Sequence, residues 1–164
     1  MKKQETNKVE VQGRKERAER SPASRKAVTV LHVDDDPNDT ALLQVACAKA
    51  AVDFEIHNVE DGDQVIEYLK GSGKYADRTR YRLPGLVLLD LKMPRVEGLE
   101  VLKWIRNQSA IKDLPVIVLS GSELQDDIRR AYAVGANSYL VKPPNFTSLI
   151  SLVREIGARL PASP

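Results

Sequence analysis

One cysteine and two histidines are all that this 164-residue chain offers to disulfide, thiolate or imidazole chemistry. Cys47 has no partner for an intrachain disulfide, which fits a reducing compartment, and it reads as a small apolar residue on a helix rather than a reactive thiol. His32 and His57 fall on predicted strands with no metal-ligand spacing between them, so both read as structural. No apolar run approaches the roughly 20 residues needed to cross a bilayer, and no apolar segment near Met1 has the form of a signal peptide. These absences place the protein in the cytoplasm. Residues 1–26 also lack any apolar period that could build a core, beyond the Val9, Glu10, Val11 patch, and are expected to be a disordered tail. That tail holds nine Lys/Arg against four Glu, whereas the remaining 138 residues hold 16 basic and 19 acidic side chains. A basic tail of mixed sign is more often a solvating segment than a nucleic-acid arm, so nucleic acid is not expected as a partner.

What is present suits one ordinary domain over residues 27–160, with 161–164 as a short C-terminal tail. The organising stretch is Val87, Leu88, Leu89, Asp90, bounded by Pro84 and Gly85 before it and Pro94 after it. An apolar run of this kind reads as a buried strand of a parallel sheet, with Asp90 at its carboxyl end. Residues 27–33 form a similar run and end in Asp34, Asp35, Asp36 and Pro37. Pro37 suits the first position of a helix, which makes Asp36 its N-cap and Asp39 an acid at N3, close to a capping box. The helix is expected to run to about Ala51, with Leu42, Val45 and Ala46 on one face.

Strand and helix then alternate. A short strand at 54–59 precedes a helix marked by Gly62, Val65, Ile66 and Leu69 and stopped by Gly71. Residues 71–84 read as a surface loop longer than usual, rich in basic residues and tyrosine. A third helix carries Gly98, Val101, Leu102 and Ile105, with Trp104 beside them as a contact surface or a cover on the core. Residues 115–119 form a fourth strand ending in Ser120, Gly121 and Ser122. Leu124, Ile128, Ala131 and Tyr132 mark a helix that Gly135 ends. Residues 139–141 are a last strand, followed by Lys142, Pro143 and Pro144 and by a helix with Phe146, Leu149, Ile150, Val153, Ile156 and Leu160. The fold class is α/β: a doubly wound, flavodoxin-like (βα)5 with a five-stranded parallel sheet in the order 2-1-3-4-5.

The strands deliver Asp34, Asp35, Asp90, Ser120 and Lys142 to one edge, where open α/β sheets bind ligands. Two carboxylates about 4 Å apart repel by on the order of 4 kcal/mol at an effective dielectric near 20, so three require a cation. Oxygen-only ligands favour Mg²⁺. With Lys142 as a second positive charge and Ser120 as a hydroxyl donor, the set suits phosphoryl transfer onto a carboxylate, with Asp90 as nucleophile.

Residues 27–160 resemble the receiver domain of two-component response regulators. The matching residues are the Asp34, Asp35 pair, Asp90 ahead of Met93, Pro94 and Gly98, then Ser120 and Gly121, Tyr139, and Lys142 with Pro143. The resemblance implies that Asp90 accepts a phosphoryl group from a histidine kinase or phosphotransfer protein. It further implies that Asp35, Asp90 and the Lys92 backbone carbonyl bind Mg²⁺ with help from Asp34, and that Ser120 and Lys142 hold the phosphoryl oxygens. A cis Lys142–Pro143 bond and a Ser120–Tyr139 switch are implied as well. Nothing resembling an output domain follows Leu160, so a stand-alone receiver that signals by binding a downstream protein is expected. The 71–84 loop and the Pro143, Pro144 pair are similar to those of small receivers that partner phytochrome-like kinases, many of which dimerise through their fourth and fifth helices.

Two other classes compete. A haloacid dehalogenase-type phosphatase also uses an aspartyl nucleophile with Mg²⁺, and Asp34 and Asp36 mimic its acid spacing. That class places its nucleophile on the first strand and needs further acids after the lysine, where only Glu155 follows here. A binding module that has lost phosphorylation is opposed by the complete acceptor set.

Overall fold

The apolar runs and periodic stretches fold, in the computed structural model, into five strands alternating with five helices. These are β1 (Val28–Val33), α1 (Pro37–Ala50), β2 (Phe54–Val59), α2 (Gly62–Lys70), β3 (Leu86–Leu89), α3 (Gly98–Arg106), β4 (Val116–Ser120), α4 (Gln125–Val134), β5 (Ser138–Val141) and α5 (Phe146–Arg159). The structure describes residues 27–93 and 96–160; residues 1–26, 94–95 and 161–164 lie outside them, and with them the expected N-terminal tail and the role expected of Pro94. All pairings in the sheet are parallel, in the order β2-β1-β3-β4-β5. Parallel neighbours need crossovers, and the helices that supply them cover both faces.

Strand parity divides the core in two. Leu31, Val33, Val87, Leu89, Val116 and Val118 pack with Val65, Leu102, Ile105 and Ala131 of α2, α3 and α4. Val30, Leu86 and Leu88 pack with Leu43, Ala46 and Cys47 of α1 and with Val153 and Ile156 of α5. Cys47 is buried there, and burial pushes its thiol up to about 11, which keeps it neutral.

Three features differ from the expectations. The buried face of α1 is Thr40, Leu43, Ala46, Cys47 and Ala50, while Leu42 and Val45 are 47% and 49% exposed. Apolar residues encircle this helix, so counting alone cannot choose its inner stripe. On α4 only Ala131 is buried, and Tyr132 and the N-capping Leu124 face outward. The Lys142–Pro143 bond is trans, as are all described peptide bonds, so the cis form implied by the resemblance is corrected. Trans is the ordinary state of an X–Pro amide, by about 0.5–1 kcal/mol.

The 71–84 loop is anchored. Tyr75 sits in a 3-10 turn (Gly73–Tyr75) and is buried, and its ring centroid lies 5.0 Å from that of Tyr68 and 5.1 Å from that of Tyr81. His57 joins the cluster edge-on to Tyr68 and Tyr81, a structural role. Arg78 Nη2 donates to the Leu69 carbonyl at 2.7 Å and Nη1 to that of Tyr81 at 2.9 Å, closing the loop onto the end of α2.

Arg106, in the last turn of α3, joins three elements. Its guanidinium donates to the carbonyls of Lys112 and Leu114 ahead of β4, to Gly135 at the end of α4, and to Asn137 Oδ1. Trp104 packs half-buried against the core of this side, with Lys70 Nζ 5.8 Å from its ring centre.

Candidate functional site

Backbone ladders bring the candidate residues to one edge. Asp34 N donates to the Val59 carbonyl and Asp90 N to that of Val33, each at 3.0 Å, while Lys142 N donates to Ser120 O at 2.8 Å. The even-numbered residues of β1 and β3 face α1 and α5, and Asp34 and Asp90 prolong that row. Asp34 and Asp90 are buried although both are carboxylates, which requires compensation.

Lys142 supplies it. Its Nζ donates to Asp39 Oδ2 at 2.6 Å, Asp34 Oδ2 at 2.7 Å and Asp90 Oδ2 at 3.1 Å. Burial works against the ammonium, but its hydrogen bonds to Asp34 and Asp39 and the charge of Asp90 outweigh this and hold its pKa above the usual lysine value. The other carboxylate oxygens take backbone donors: Asp34 Oδ1 accepts from Asp36 N at 2.9 Å, and Asp90 Oδ1 from Lys92 N at 3.1 Å. Lys92 therefore stands in the tight turn after Asp90, through its own backbone.

Asp39 is the residue that sequence reasoning assigned elsewhere. Asp36 does cap α1, accepting from Asn38 N at 2.8 Å, but the acid at N3 turns away from the cap to Lys142. The local sequence gives an N3 acid a cap as its nearest job; only the arrival of Lys142 from β5 offers a better one.

Carboxylate oxygens of Asp34, Asp35 and Asp90 lie within 4.8 Å of one another, and Asp35 is exposed. All-oxygen donors at this spacing fit a hard divalent cation. His32 lies beneath them. Its Nδ1 is 3.2 Å from Thr40 Oγ1, which donates to Asn58 Oδ1, and burial, outweighing the nearby Asp34, lowers its pKa. It is a neutral, structural histidine.

Ser120 and Tyr139 belong to the other parity. Ser120 is fully buried and its Oγ accepts from Ser122 N at 3.3 Å; the described hydrogen bonds do not join it to the acids. Tyr139, opposite Val118 in the β4–β5 register, donates its hydroxyl to the Ser122 carbonyl at 2.8 Å. Ser122 thus links the two, and its hydroxyl also donates to Asp127 in the first turn of α4.

Gly98 explains how α3 can begin against the acid. A Cβ there would stand 2.2 Å from the Asp90 carbonyl oxygen and 2.8 Å from Leu91 Cα, backbone atoms that cannot rotate aside. Gly98→Ala is expected to cost about 3 kcal/mol, at the upper end of overpacking, and to displace the Asp90 turn. A urea midpoint equal to that of wild type would contradict this.

The sequence profile described as response regulator receiver domain matches residues 30–154. The probable methanogenesis regulatory protein FilR2 of Methanothrix harundinacea is 37% identical over 130 residues, 77% of this chain and 79% of FilR2. Response regulator Rcp1 of Synechocystis is 33% identical over 83% of this chain and 90% of its own; its Mn²⁺-bound structure superposes with a TM-score of 0.73 at 31% identity, covering 84% and 97%. The phosphorylated cyanobacterial phytochrome response regulator RcpA has a TM-score of 0.73 at 36% identity, covering 82% of this chain and 94% of RcpA.

Proposed function

The chain belongs to the response regulator receiver family, and from that premise we propose that Asp90 is its phosphoacceptor and Mg²⁺ its metal ion. The observation that carries the assignment is the set around Asp90: its Oδ2 is in contact with Lys142, and the Asp34 and Asp35 carboxylates lie beside it. A phosphatase of haloacid dehalogenase type is not favoured by the family match. Among the described residues, the only acidic group of metal-ligand spacing is Asp34, Asp35 and Asp90.

In the proposed step an Asp90 carboxylate oxygen attacks the phosphorus of a phosphohistidine on a kinase or phosphotransfer protein. The O–P bond forms as the P–N bond breaks, and the electron pair returns to the imidazole nitrogen, which takes a proton from water. The products are an aspartyl phosphate, a neutral histidine and the hydroxide left by that water. Asp34, Asp35, Asp90 and the Lys92 carbonyl would hold Mg²⁺, which supplies neutralisation of charge on the phosphoryl oxygens. Lys142 moves its ammonium to one of those oxygens, and Ser120 offers its hydroxyl to another.

Incubation with acetyl phosphate and Mg²⁺ tests the reading. One phosphoryl group per chain, labile to hydroxylamine and absent with EDTA, is expected; a chain that gains no mass would overturn it.

The switch follows from the added charge of about −1.5 to −2. Ser120 turns toward the phosphoryl group and gives up Ser122 N, and the shift reaches Tyr139 through the Ser122 carbonyl, with Tyr139 moving into the space released. Support lies in the hydrogen bonds that already meet at Ser122. Tyr139 ring resonances that do not move when Mg²⁺ and beryllofluoride are added would count against it. A phytochrome-type kinase as donor is supported by the likeness to the phytochrome response regulator RcpA, and dimerisation through α4 and α5 by the exposed Leu124 and Tyr132. Phosphotransfer from such a kinase and sedimentation of the full chain test the two.

A further inference from the structure

The ammonium of Lys142 has three N–H donors and spends them on three carboxylates. The shortest contact, 2.6 Å, goes to Asp39, and the longest, 3.1 Å, to Asp90, the group that Lys142 serves once a phosphoryl is attached. An aspartyl phosphate can engage Lys142 only as far as the present acceptors release it.

The three acceptors differ in how readily they let go. Asp34 is 1% exposed, so releasing Lys142 leaves a buried charge without its cation. The Asp39 side chain is 36% exposed and can exchange the ammonium for water. Its place is fixed by α1, whose first turn is secured by Asp36 and Pro37 without help from Asp39.

We propose that Asp39 is a positioning residue that holds Lys142 in the unphosphorylated protein and competes for it with the phosphoryl group. Asp39 thereby lowers the affinity of the site for a phosphoryl group and shortens the reach of Lys142 toward it. This inference rests on the phosphoacceptor reading of Asp90 and adds a brake to it.

The test is beryllofluoride binding to the full chain at saturating Mg²⁺, in wild type, Asp39→Asn, Lys142→Met and the double variant. Asp39→Asn is expected to bind about tenfold more tightly, the scale of one charge-assisted hydrogen bond discounted for the exposure of Asp39. The gain should vanish in the Lys142→Met background, because Asp39 acts through Lys142. In the unliganded protein, the Lys142 ammonium protons should exchange with water faster in Asp39→Asn than in wild type by NMR. Equal affinities of wild type and Asp39→Asn, or a gain that persists without Lys142, would overturn the proposal. Wild type that binds beryllofluoride under either outcome leaves the phosphoacceptor reading standing; wild type that does not bind it sinks both.

Discussion

Asp90→Asn is expected to bring labelling by acetyl phosphate down to background while the chain stays folded. The amide retains an oxygen that can accept from Lys92 N, now at 3.1 Å from Asp90 Oδ1, so the turn after β3 keeps its hydrogen bond. It loses the anionic oxygen that attacks phosphorus, and the loss of a nucleophile removes at least about 10³-fold of rate, beyond the reach of a mass measurement. Stability should change by about 1 kcal/mol or less. One contact to Lys142 weakens, but a carboxylate crowded against Asp34 and Asp35 is neutralised at the same time. Undiminished labelling of the variant would refute the assignment, and a phosphoryl group found on Asp34 or Asp35 would do the same.

A large loss of stability is also expected from Lys142→Met. Methionine fills the space of the lysine stem but leaves Asp34 and Asp90 buried without a cation. Breaking a buried ion pair from one side costs about 3–5 kcal/mol; the Lys142 side chain is 24% exposed, which brings the expectation to about 2–3 kcal/mol. For a domain of this size that is on the order of 10 °C in Tm. The penalty should shrink when Mg²⁺ is added, since a divalent ion answers the same carboxylates. At the alkaline end the sign is set by the raised pKa of Lys142. Its stabilisation is complete below about pH 10, the ordinary lysine range, and is lost as pH rises through the higher folded value. Equal melting points of the two proteins in EDTA at pH 7 would contradict this.

Asp34, Asp90 and Lys142 are legible in the sequence because each ends an apolar run, and a parallel sheet brings the ends of such runs to one edge. The strand order and the burial of β3 follow from the same signal. Asp39 is not legible, because an acid at N3 is explained equally well by the helix that carries it; the contact that decides is 103 residues away. The inner face of α1 escapes for a different reason: Leu42, Leu43, Val45 and Ala46 surround the helix axis, and only packing against α5 selects among them. The tyrosine cluster of the 71–84 loop joins positions 57, 68, 75 and 81, which share no period, and its order comes from rings meeting edge to face, with Tyr68 and Tyr75 at a tilt.

The fastening of α4 also has a mechanical side. Its far end is bolted, through the Gly135 carbonyl and Asn137 Oδ1, to a guanidinium that grips the entry to β4 as well. Its near end hangs from Ser122, which bonds Asp127 and Leu124 N. A ten-residue helix is a beam about 15 Å long. Pinned at one end, such a beam converts a sideways pull of about 1 Å at the other into a tilt of about 4°, so a short motion in the β4–α4 turn becomes a change of slope along a whole exposed surface.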